Sequence, residues 1–256
     1  MILDTIKAHV QQRLNADRKR TTGAALESRI ATLGPIKDFR LALQAPGLQV
    51  ISEVKRASPS AGDILLDADA VAISRKYVRN GAAAISVLTE RDFFKGSIVD
   101  LQQVAQAVDV PVLRKDFILD NYQILEARAA GASAFLLIVR MLTPEQLGQL
   151  LRFGEDLGLS ALVEVHDADE LAVAIETGAT AIGINNRNLD TFEVDLDVSL
   201  SLRASIPDNC ISISESGIRN PEDFRLIAAA GFDAVLVGEA LMRDSEMLKN
   251  FNKGTE

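Results

Sequence analysis

The chain has 256 residues, 48% of them hydrophobic and 25% charged, the balance of a globular protein with room for one large α/β domain or two small ones. Acidic residues outnumber basic ones 36 to 27; the net charge of −9 argues against nucleic acid or an anionic membrane surface as partner and leaves any anionic small ligand to local donors. One cysteine excludes an internal disulfide framework, and two histidines exclude a multi-histidine metal site.

Charge appears too early at the N-terminus for the apolar core of a signal peptide. No apolar run approaches a membrane span, so the expected setting is the cytoplasm. Leu3, Ile6, Val10 and Leu14 recur at three- and four-residue steps, which predicts an amphipathic helix. Its tail holds Arg13, Arg18, Lys19 and Arg20 against Asp17 alone and reads as a solvated basic end. A second helix-like stretch over 36–43 precedes Pro46-Gly47. Residues 1–48 thus form a helical extension able to cap either end of the domain at 49–256.

That domain repeats one unit. Strand-length apolar runs occur at 50–54, 84–88, 110–113, 134–139, 161–165, 181–184, 211–214 and 234–237. Continuous apolar runs suit parallel strands buried on both faces. Helical periods separate them; Thr143-Pro144 is a helix start, and Gly81, Gly131, Gly158, Gly178 and Gly231 mark helix ends. Eight such units in about 200 residues predict a (β/α)8 barrel over its rival, a doubly wound open sheet. Cys210 reads as a buried strand residue.

Polar residues cluster where strands end, the face on which a barrel gathers its loops. In the first unit Glu53 and Lys55 are two apart on a strand and so point the same way, as a ligand-holding pair or a structural ion pair. Ser58-Pro59-Ser60 follows as an anion-binding turn. Lys115 ends the third strand, where partial desolvation suits it to act as acid or nucleophile. Glu164 sits in an otherwise apolar strand, where a carboxylate needs a partner or a task; His166 beside it reads as structural. Asn185, Asn186 and Arg187 offer amides and a guanidinium. Ser214-Glu215-Ser216-Gly217 and Val237-Gly238-Glu239 place glycine after strands seven and eight, where backbone N–H groups of such barrels bind phosphate.

In these motifs the chain resembles the indole-3-glycerol phosphate synthases. The match runs through Glu-Val-Lys-Arg-Ala-Ser-Pro-Ser (53–60), Ser-Val-Leu-Thr-Glu (86–90), Phe-Phe-Lys-Gly-Ser (93–97) and Leu-Arg-Lys-Asp-Phe (113–117). It continues through Leu-Leu-Ile (136–138), Leu-Val-Glu-Val-His (162–166), Ile-Asn-Asn-Arg-Asn-Leu (184–189) and Ser-Glu-Ser-Gly-Ile (214–218). The resemblance implies conversion of 1-(2-carboxyphenylamino)-1-deoxyribulose 5-phosphate to indole-3-glycerol phosphate, carbon dioxide and water, without cofactor or metal. By motif, Lys115 is the acid for ring closure, Lys55 pairs with the substrate carboxylate and assists dehydration, and Glu164 is the acid–base carboxylate; the match does not settle which lysine serves which step. Glu53 and Asn185 orient Lys55 and the ribulose hydroxyl. Phe94 stacks near the anthranilate ring, and Arg187, Glu215 and Ser216 line the pocket. Ser58, Gly217, Gly238 and the backbone at Glu239 hold the phosphate. The resemblance also puts the apolar N-terminal helix at the catalytic mouth and allows transient contact with other tryptophan-pathway enzymes.

Two positions depart from the common pattern. Ala61 stands where many members carry Lys or Arg, so the loop closes without that charge. Glu239 stands where many carry Ser, tolerable beside a phosphate only if its side chain points away. Rival readings are another phosphosugar barrel, such as an isomerase or a Schiff-base aldolase using Lys115, and a non-catalytic phosphoribosyl-ligand sensor. Borohydride trapping separates the aldolase, the only one to leave a reducible imine.

Overall fold

In a computed structural model, residues 2–252 are described; residue 1 and residues 253–256, the outer ends of the expected extension and barrel, lie outside them. Eight parallel strands close into a barrel in sequential order: Gln49–Val54 (β1), Ala84–Leu88 (β2), Val112–Lys115 (β3), Ala134–Ile138 (β4), Ser160–Val165 (β5), Ala181–Asn185 (β6), Ile211–Glu215 (β7) and Ala234–Val237 (β8). Pairing of Ser52 with Val237 helps close the ring. Outside the strands lie Ala70–Arg79 (helix α4), Ile98–Ala107 (α5), Asn121–Ala129 (α6), Pro144–Asp156 (α7), Ala168–Glu176 (α8), Asp197–Leu202 (α9), Pro221–Ala229 (α10), Glu239–Arg243 (α11) and Met247–Asn252 (α12). Thr143 and Gln146 form the capping box that opens α7, as Thr143-Pro144 predicts. The doubly wound alternative is excluded by the closed ring. No helix among the described residues is long and apolar enough to cross a membrane.

Strand alternation makes two cores. Val50, Val54, Ile85, Val87, Val163, Val165, Ile182 and Ile184 face outward and pack under the helices. Ile51, Leu113, Leu136, Leu162, Ile213 and Leu236 belong to a separate cluster inside the barrel.

The extension caps both ends. Helices Ile2–Arg20 (α1), Gly23–Ile30 (α2) and Phe39–Leu43 (α3) precede β1. Ala84, Ala134, Ala181 and Ala234 each open a strand, and Phe39 and Leu43, 0% and 1% exposed, join them in the inner core from below. Small strand residues leave the space that a buried phenylalanine fills. The opposite end lies under α1, whose Leu3 and Ile6 line the same cavity as Glu53 and Lys115. Lys7 also ties α1 to the β4 loop, its Nζ donating to the Met141 carbonyl at 3.0 Å.

Three sequence expectations need correction. β3 begins two residues later than the apolar run and takes in Arg114 and Lys115, because the two pair along β2 with Val87 and Leu88. Cys210 precedes β7 and is only partly buried, its Sγ donating to the Ala179 carbonyl. The tail of α1 is solvated only in part: Arg18, Lys19 and Arg20 are exposed, with Arg18 paired to Asp120 and Arg20 to Asp17, whereas Arg13 is half-buried and pairs with Glu90.

Candidate active site

Strand alternation aims Glu53, Lys115, Glu164, Asn185 and Glu215 into the barrel at its upper end, where they meet one cavity. Lys115 is the hub: its Nζ lies 2.6 Å from Glu164 Oε2 and 2.8 Å from Glu215 Oε2. Lys55 Nζ is 3.1 Å from Glu53 Oε1. The Glu164, Glu215 and Glu53 side chains are only 3%, 2% and 6% exposed, so these charges act across little water.

Burial lowers the pKa of Lys115, but Glu164, Glu215 and Glu53 outweigh it and the net shift is upward. For Glu164 burial favours the neutral acid, yet Lys115, His166 and Asn185 bring it down to about 2. Glu215 goes the other way, to about 7, because burial and repulsion from Glu164 and Glu53 exceed the pull of Lys115. The cluster thus holds an ammonium, a firmly ionised carboxylate and a carboxyl that changes charge near neutrality.

Asn185 Nδ2 donates to Glu164 Oε1 at 3.0 Å, and Asn185 Oδ1 accepts from Ser216 Oγ and the Arg187 backbone N–H, each at 3.0 Å. Asn186 is scaffold: its Nδ2 donates to Ser214 Oγ and to the carbonyls of Glu215 and Ser216, each at 3.0 Å. That support matters because Ser216 has φ +64, a left-handed conformation costly for a residue with a side chain, followed by Gly217 at +94. Arg187 Nη1 donates to the Phe192 carbonyl at 3.1 Å, holding a loop that supplies Leu189 and Phe192 to the cavity. The opposite wall is aromatic, with the Phe94 and Phe117 rings 6.0 Å apart.

An adjoining cavity of about 400 Å³ is lined by Lys55, Arg187, Ser216, Gly217, Gly238 and Glu239 among others. Glu239 turns aside, its Oε1 accepting from Arg243 at 3.0 Å. Ser58 lies instead along the first cavity, where its Oγ accepts from the Ala61 N–H at 3.1 Å and meets Ser60 Oγ at 3.3 Å. The predicted phosphate residues therefore stand around two adjoining spaces rather than one. Gly238 has a further reason to lack a side chain, since a Cβ there would overlap Glu53 Oε1.

Sequence reasoning missed Gly183, where a Cβ would overlap Glu215 Oε1; the glycine inside the run Ala-Ile-Gly-Ile was its signal. It also gave no role to Glu90, whose side chain is 1% exposed and organises the loop after β2. His166 is held by Glu170, whose Oε2 meets its backbone N–H and Nδ1 at 2.8 and 3.0 Å, while its Nε2 stands 3.4 Å from Glu164 Oε1.

Several known proteins are similar to this chain in sequence or fold. The sequence profile of indole-3-glycerol phosphate synthase matches residues 3–253. The chain is 47% identical over 248 residues to the indole-3-glycerol phosphate synthase of Lacticaseibacillus casei, covering 96% of this chain and 95% of that one. It is 47% identical over 247 residues to that of Chlorobium phaeovibrioides, covering 96% of each. Among solved structures, an N-acetylmannosamine-6-phosphate 2-epimerase from Clostridium perfringens superposes with a TM-score of 0.63 at 14% identity, covering 87% of this chain and 99% of that one, a likeness of fold alone. By profile and by relatives, the chain belongs to the indole-3-glycerol phosphate synthase family.

Proposed function

We propose that the cluster at the barrel mouth converts 1-(2-carboxyphenylamino)-1-deoxyribulose 5-phosphate to indole-3-glycerol phosphate, carbon dioxide and water by acid–base catalysis. The observation that carries this is Lys115, an ammonium clasped by two buried carboxylates beside an aromatic wall. As the aryl carbon attacks the ketone, the developing alkoxide becomes basic enough to take the Lys115 proton, and the ammonium stabilises its charge until then. Loss of carbon dioxide restores the aromatic ring. Lys55, oriented by Glu53, pairs with the substrate carboxylate and then protonates the departing hydroxyl. Glu164, steadied by Asn185, accepts the proton from the ring carbon as the indole forms.

Phe94 stacks on the anthranilate ring, while Arg187, Glu215 and Ser216 line the sugar chain. Ser58 and the backbone N–H groups near Gly217, Gly238 and Glu239 hold the phosphate. Residues 1–48 serve as the extension and 49–256 as the catalytic barrel of one structural unit. A cytoplasmic setting and transient contact with other enzymes of the pathway belong to the same reading. Incubation with the carboxyphenylamino substrate should produce indole fluorescence. Consumption of substrate without an indole product would contradict the proposal.

A further inference from the structure

Arg13 lies at the start of the basic tail, yet its side chain is only 17% exposed. Its guanidinium is 3.0 Å from Glu90 Oε1, 3.3 Å from Asp92 Oδ2 and 4.0 Å from Asp116 Oδ1. The Glu90 and Asp116 side chains are each 1% exposed, and each holds the backbone of an aromatic residue in the cavity wall. Glu90 Oε2 accepts from the N–H groups of Phe93 at 2.6 Å and Phe94 at 3.1 Å, and Asp116 Oδ1 accepts from that of Phe117 at 2.9 Å. His9, one turn before Arg13, stacks on Phe93 with ring centroids 5.5 Å apart.

We propose that Arg13 is a positioning residue for the substrate's aryl ring: it joins the two carboxylates that set Phe94 against Phe117. The proposal rests on the reading that this pair receives the anthranilate ring. Arg13 and the cavity residues Leu3 and Ile6 share α1, so one helix roofs the pocket and also fixes the spacing of its aromatic wall. The two carboxylates differ in what they lose without it. Asp116 keeps Arg114, whose Nη2 is 3.0 Å from Oδ2, whereas Arg13 is the only cation paired with Glu90 among the described residues. An uncompensated buried carboxylate recruits water or a proton, and the backbone it holds follows. The loop carrying Phe94 therefore moves relative to Phe117.

The test is steady-state kinetics on the full chain with the carboxyphenylamino substrate, for Arg13→Met, Phe94→Ala and the double variant. A hydrogen bond to a charged group is worth about a factor of ten or more, so Arg13→Met should raise KM about tenfold and leave kcat within about threefold. In the Phe94→Ala background the same change should add less than about twofold, because the residue it positions is gone. A merely structural arginine would act equally in both backgrounds, and that additive result overturns the proposal. So does a loss of kcat at unchanged KM. A raised KM in Phe94→Ala but not in Arg13→Met removes Arg13 alone; an unchanged KM in Phe94→Ala removes the aryl-wall reading and the proposal with it. Should the methionine variant fail to fold, Arg13→Lys decides. Its ammonium is a point charge that serves one carboxylate rather than two, so KM should stay at least about threefold high, and a wild-type KM overturns the proposal.

Discussion

Three carboxylates share the barrel mouth with two ammonium groups, so one carboxylate is ionised at a cost, and Glu215 bears it. Its value of about 7 exceeds the ordinary 4.5, so its stabilising contribution is present below about pH 4.5 and is lost as pH rises through 7. Glu164 behaves in reverse: held at about 2, it contributes above pH 4.5 and loses that contribution as pH falls toward 2. Glu215→Gln cannot ionise, so its Tm should improve relative to the parent between about pH 5 and about pH 8. A Tm difference that stays constant across that range would speak against the assignment. The glycines test the same geometry sterically. Because a Cβ at Gly238 would strike Glu53, which pairs with Lys55, Gly238→Val should reduce kcat as well as raise KM. A rise in KM alone would mean that the glycine serves only phosphate binding.

At the scale of elements, α3 seals the lower end of the barrel. Phe39→Ala should cost about 3–5 kcal/mol in urea unfolding while leaving kcat/KM near the parent value, because its cavity opens at the end away from the site. A small stability change would show that the alanine layer closes by itself. The strands were legible as continuous apolar runs of strand length, and α1 because its apolar residues recur at three- and four-residue steps. Helix α2 was not: of its eight residues only Leu26 is buried, so no stripe marks it, and the Thr22 cap was its one signal. Lys115, Glu164 and Glu53 stood out because charges at the ends of apolar strands are conspicuous. Arg13 and Glu90 did not, because their meaning lies in a contact 77 positions apart along the chain. Asn186 looked equal to Asn185 in sequence; Asn185 ends β6 facing the site, whereas Asn186 just beyond the strand bonds into the scaffold.

For the whole molecule, closing eight parallel strands brings Glu53, Lys115, Glu164, Asn185 and Glu215 to one end, and α1 covers that end with apolar residues. The chain's net charge of −9 does not favour an anionic substrate, so local lysines and backbone N–H groups have to hold it. On the proposed reading, this shared mouth performs ring closure through the Lys115 ammonium. The most direct measurement is single-turnover formation of indole product by Lys115→Met, with product affinity determined on the same preparation. Turnover should fall by at least about 100-fold while the variant folds and binds product nearly as the parent does. Near-parental turnover in a folded, product-binding Lys115→Met would contradict the account and move the acid role to Lys55.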